Sequence, residues 1–141
     1  MLDLRRGQTI HPVIDKVLNA LNEKLLQAKQ SDSKVVLCLP IGWDSHQNET
    51  AACGKYINNK HWMTKEESYQ QRFTDVDFIV FYRGLAALIF QYHKNLHRVF
   101  WQLEGGYEPS VYKQQIKNMS LIFSDLDFDL RNQYVPKPTG P

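Results

Sequence analysis

The sequence predicts an α/β domain built on a parallel sheet, and three observations carry that prediction. Amphipathic helical stretches alternate with short β-prone runs along the chain. The first run, Val35-Val36-Leu37-Cys38-Leu39-Pro40, is continuously apolar. That pattern marks a strand covered on both faces by helices, as in a parallel sheet. The second run, Arg98-Val99-Phe100-Trp101-Gln102-Leu103, ends abruptly at Gly105-Gly106. A strand, a tight turn and a helix start are the natural reading of that ending.

Composition fits one such domain. The 141 residues are 43% hydrophobic, 12% aromatic and 23% charged, which is enough apolar material for a core. A net charge of +2 with no basic run makes neither nucleic acid nor an anionic membrane surface an expected partner. Cys38 and Cys53 lack metal-ligand spacing, and Cys38, inside an apolar run, is expected as a buried thiol. Two cysteines and no signal-peptide pattern point to a reducing, intracellular setting, cytoplasmic or nuclear. The stretch from Val76 to Tyr92 is the most apolar, but Asp77 and Arg83 interrupt it, so it reads as a buried helix rather than a membrane span.

Taken in order, the chain opens with Ile10, Val13, Ile14, Val17, Leu18, Leu21 and Leu25 at helical spacing, opposite Asp15, Lys16, Asn19, Glu23 and Lys24. This predicts an amphipathic helix from Thr9 to near Gln30, about five turns long. The first strand follows the polar Ser31-Asp32-Ser33 linker. From Ile41 to His61 the chain is polar, a loop of about twenty residues, and loops of that length are often functional. Thr64 and Glu67 stand at capping-box spacing and predict a helix start. Helical character continues, with a break near Thr74, through Phe78, Tyr82, Leu85, Leu88 and Tyr92. The second strand is expected over residues 99–103. Pro109 then opens a helix through Val111, Ile116, Met119 and Ile122. Residues 127–141, with prolines near the end, are expected as a surface strap or disordered tail beyond a folded unit of residues 1–126. Two strands do not make a closed, doubly covered sheet, so the chain reads as a piece of something larger.

Gly42-Trp43-Asp44-Ser45-His46 and Gly105-Gly106-Tyr107 both follow strands. In a parallel sheet their ends open on one edge, so Asp44 and Tyr107 are expected to face one crevice. An Asp with a nearby His is a plausible ligand pair for a divalent metal. A tyrosine hydroxyl on a glycine-hinged turn can donate to a developing oxyanion. The competing readings are that Asp44 caps its loop and that Tyr107 is a packed turn tyrosine.

These residues carry a resemblance. Ile41-Gly42-Trp43-Asp44-Ser45-His46, then Trp62-Met63-Thr64 ahead of a helix containing Tyr69, then Val99 through Leu103-Glu104-Gly105-Gly106-Tyr107, is similar to the carboxyl-terminal part of the histone deacetylase and acetoin-utilisation family. The match covers roughly residues 10–122 in the right order. It implies a parallel-sheet, three-layer, arginase-like α/β fold and a zinc-dependent amidohydrolase that cleaves acetyl-lysine or a related N-acyl amine. By this resemblance Asp44 matches a zinc ligand and Tyr107 the tyrosine that hydrogen-bonds the substrate carbonyl and its oxyanion. Gly105 and Gly106 match the turn lining the acyl-lysine channel, and His46 a neighbour of the ligand. The implied substrates are an acetylated protein or a small acylated amine.

The chain also departs from the family pattern. Glu49 stands roughly where the family has an Asp-Pro, and both the segment from Asn48 to His61 and the helical span from Thr64 to Leu96 are extended. The family's upstream Asp-x-His ligands and paired catalytic histidines have no counterpart in His11, His46, His61, His93 or His97. A missing amino-terminal part or a partner chain is therefore expected to supply them, and the chain alone is expected to be inactive. Trp43, Trp62 and Trp101 are expected in the core, His61, His93 and His97 at the surface or helix ends, and Cys53 as an exposed thiol. A non-catalytic interaction module retaining part of this fold is the alternative reading, and an unrelated α/β binding domain a third.

Overall fold

Two strands set the frame. The computed structural model describes residues 12–49, 56–57, 60–61 and 73–133. Strand β1 (Val35–Ile41) pairs in parallel with β4 (Leu96–Leu103), from Val35 opposite Leu96 to Ile41 opposite Leu103, with one irregularity after Val35. Between them in sequence lie a short antiparallel pair, β2 (Tyr56–Ile57) and β3 (Lys60–His61), and a helix. Parallel strands need such a crossover, because no tight turn can join them.

Among the described residues three helices accompany these strands: α1 (Pro12–Gln30), α2 (Asp75–Tyr92) and α3 (Pro109–Asn132). Helix α2 starts at a capping box. The Thr74 hydroxyl accepts from the Asp77 amide at 3.2 Å, and the Asp77 carboxylate accepts from the Thr74 amide at 2.8 Å. Asp75 and Asp77 also place negative charge in the first turn, where the helix dipole favours it. Helix α3 starts with Pro109 in its first turn, where the missing amide is no loss.

All three helices pack on the same side of the sheet. Leu25 of α1 meets Leu88 and Tyr92 of α2, with Leu18, Leu21, Val35 and Leu96 around them. The larger cluster joins Ile41 and Trp43 to Phe78 and Tyr82 of α2 and Val111 of α3. Trp101 of β4 meets Phe123 of α3 edge to face, ring centres 4.6 Å apart.

The opposite face of the sheet is open among the described residues. Val36 is 56% and Phe100 44% exposed, and their in-register neighbours Arg98 and Cys38 are exposed too. The fold is thus mixed α/β with a two-stranded parallel sheet, and cover on both faces is not what these residues show. Cys38 corrects the sequence expectation: it is an exposed free thiol, because the strand alternates and residue 38 falls on the uncovered face.

Other boundaries shift as well. On α1, Val13 and Val17 are exposed, and the buried stripe is Ile14, Leu25 and Ala28. Strand β4 begins at Leu96, after a 3₁₀ turn at His93–Asn95. Residues 127–132, expected in the tail, continue α3, where Leu126 is buried and Arg131 pairs with Asp127 at 2.8 Å. The long polar loop contains the β2–β3 pair. Thr9, Cys53, Trp62, the expected helix start at Thr64 and residues 134–141 lie outside the described residues.

Candidate functional site

The strand ends meet as the parallel pairing requires. Past the last paired residues, the Glu104 amide donates to the Ile41 carbonyl and the Trp43 amide to the Gly105 carbonyl, each at 2.8 Å. The two turns are thereby laced together. The half-buried Asp44 carboxylate lies directly on Gly105: a Cβ at that glycine would stand 2.8 Å from both Asp44 Cγ and Oδ2. A side chain at 105 would displace the carboxylate. Gly106 has φ +122°, a backbone region that side chains disfavour, and a Cβ there would also press on Trp43 at 3.1 Å. Tyr107 follows with 63% of its surface exposed. The structure therefore brings Asp44, Gly105, Gly106 and Tyr107 to one edge of the sheet.

A polar chain, buried except at its Asp75 end, ties Trp43 and His46 of this edge to α2 and α3. Trp43 Nε1 donates to the Tyr82 hydroxyl at 2.7 Å, and that hydroxyl donates to Gln115 Oε1 at 2.9 Å. Gln115 Nε2 donates to Asp75 Oδ1 at 2.7 Å, and His46 Nε2 meets the same oxygen at 2.8 Å. The Asn48 amide donates to His46 Nδ1, which leaves Nε2 as the donor to Asp75. His46, Tyr82 and Gln115 are essentially fully buried. His46 stacks against Phe78 and supports its loop through a parallel bridge to Phe73. It acts as a hydrogen-bonding neighbour, as the sequence suggests. Burial, the largest influence, pushes the Tyr82 phenol up; the Trp43 hydrogen bond opposes this and the Asp75 charge adds to it.

Sequence reasoning missed Glu49. It is 1% exposed, and its Oε2 accepts from the amides of Tyr107 at 2.9 Å and Glu108 at 3.2 Å. Glu108, at the cap position of α3, makes no side-chain capping bond, although its carboxylate accepts from the Ser110 hydroxyl at 3.1 Å; the Glu49 carboxylate holds the amides of the cap residue and the residue before it. The available signal was the one already noted, an acid three residues after His46 where the family pattern differs. Gln115 and Asp75 gave no signal of their kind.

Zinc takes three or four protein ligands. Among the described residues no group of three or more His, Cys, Asp and Glu could hold a metal. Asp44 is one carboxylate, and these residues do not by themselves fit the ion. What the edge does offer is a half-buried carboxylate and an exposed phenol, on two turns linked by backbone hydrogen bonds.

Comparison with protein-family models and with curated proteins finds no match. The deacetylase resemblance therefore rests on the motifs and their order. No described helix is long and apolar enough to cross a membrane.

Proposed function

We propose that this chain is the carboxyl-terminal part of a zinc-dependent deacylase of the histone deacetylase type, inactive alone. The observation that supports this best is the packing of Asp44 onto the Gly105 turn that leads into Tyr107. The resemblance assigns a metal ligand and an oxyanion donor to these two positions, and parallel pairing explains why they share an edge. In this reading the Tyr107 hydroxyl donates a hydrogen bond to the carbonyl oxygen of an acetyl-lysine or small N-acyl amine and to the oxyanion that forms from it. By the resemblance, Gly105 and Gly106 form the turn that lines the acyl-lysine channel. Asp44 supplies one zinc ligand, and the others come from an amino-terminal part or a partner chain. The uncovered sheet face at Val36, Cys38 and Phe100 is where the remaining layer of an arginase-like fold would pack.

The same open face favours one other reading, an interaction module that keeps the fold without the chemistry. Tyr107→Phe separates the two. Acetyl-lysine turnover by the complete protein should fall at least about a hundredfold while folding is unchanged. Unchanged function in that variant favours the module.

A further inference from the structure

We propose that Glu49 is a positioning residue for Tyr107, holding the glycine turn at the angle from which the phenol works. The role of Tyr107 rests on the deacylase reading, whereas the hold itself is read from geometry. Three features carry it. The Glu49 carboxylate is almost wholly buried, a costly place for a charge unless its oxygens are well satisfied. Its Oε2 takes two successive amides, those of Tyr107 and Glu108, from 58 and 59 residues away in sequence. These amides lie between the positive-φ Gly106 and the first turn of α3, so one oxygen restrains the hinge and the helix start together.

The cap position of α3 does not do this itself. Glu108 makes no side-chain cap on α3. Pro109 has no amide to anchor the turn. The loop bearing Glu49 is itself fixed, because its amide donates to the His46 carbonyl at 3.0 Å and His46 is tied to Asp75. The polar chain through His46 and Asp75 is thereby connected, through Glu49, to the backbone of Tyr107. Glutamine at 49 would keep one acceptor oxygen without the charge, and alanine would keep neither.

Hydrogen exchange of the full-length chain tests the hold without any assay of activity. The Tyr107 and Glu108 amides should exchange slowest in the wild type, faster in Glu49→Gln and fastest in Glu49→Ala. Roughly tenfold or more should separate the extremes, as expected for lost charge-assisted bonds. Amides of the β1–β4 ladder should not change. Equal exchange in all three proteins, or acceleration spread evenly over the sheet, would overturn the proposal. If Glu49→Ala does not fold, Glu49→Gln against wild type decides by the same criterion.

Kinetics of the complete protein tests the consequence. Glu49→Gln should lower kcat with KM little changed, and its effect should not add to that of Tyr107→Phe. Additive losses would show that Glu49 does not act through Tyr107. A complete protein with no deacylase turnover would end the deacylase reading, and the exchange result would still decide whether Glu49 holds the turn.

Discussion

Gly106, with φ +122°, shows how much of this site is a matter of single residues. Gly106→Ala places a Cβ in a disfavoured backbone region and against Trp43, and should cost about 1–3 kcal/mol, read as a lower urea midpoint. Tyr82 works differently, through its buried hydroxyl between Trp43 and Gln115. Because burial raises its folded-state pKa above the unfolded value, the folded protein holds this proton more tightly. Stability from this group is intact below about pH 10 and is lost as the pH rises further. Denaturation midpoints measured across that range should fall at the alkaline end, and Tyr82→Phe should remove that part of the fall. At neutral pH the same variant should cost about 1–3 kcal/mol, since Trp43 and Gln115 each lose a buried partner. Asp44, Gly105, Gly106 and Tyr107 were legible in the sequence because each sits a fixed step beyond an apolar run. Glu49, Gln115 and Asp75 were not, because their partners are distant in sequence and polar residues leave no periodic trace.

Among the elements, α2 illustrates what patterning can and cannot locate. Its apolar content was plain, but its described start is Thr74, where the expected pattern had only a break. The box there closes with Asp77 rather than Glu or Gln, so a search for the commoner pair passes over it. Thr74→Ala should cost about 1 kcal/mol and appear as a lower thermal midpoint. The start of β4 was hidden because His97 and Arg98 are exposed and give no apolar signal. Helix α3 outran its prediction because Asp125, Asp127 and Asp129 are poor helix formers that read as a tail. Tertiary contact at Leu126 and the Asp127–Arg131 pair accompany the continued helix. In each case packing or local bonding completes what propensity leaves open.

At the scale of the whole molecule, the organising fact among the described residues is a two-stranded parallel sheet with helices on one side. The continuous apolar run of β1 was read as a parallel strand covered on both faces; it does pair in parallel, but its outer residues Val36 and Cys38 are open to solvent. An apolar strand face that is open among the described residues is what a larger assembly would use. Cys38 reports on it directly. In a Cys53→Ser form of this chain, the Cys38 thiol should react with a thiol reagent under native conditions as fast as a free thiol. In the complete protein it should be protected at least about tenfold, as burial of a thiol implies. Equal reactivity in both would mean that nothing covers the sheet.

The central claim is that Asp44 and Tyr107 serve one deacylase site completed from outside this chain. The most direct test is zinc-dependent release of acetate from an acetyl-lysine peptide by the protein as isolated from its source, compared with its Tyr107→Phe variant. Turnover is expected in the first, a loss of at least about a hundredfold in the second, and the same folded spectrum in both. Turnover that survives the loss of the hydroxyl, or none in the natural protein, would contradict the claim.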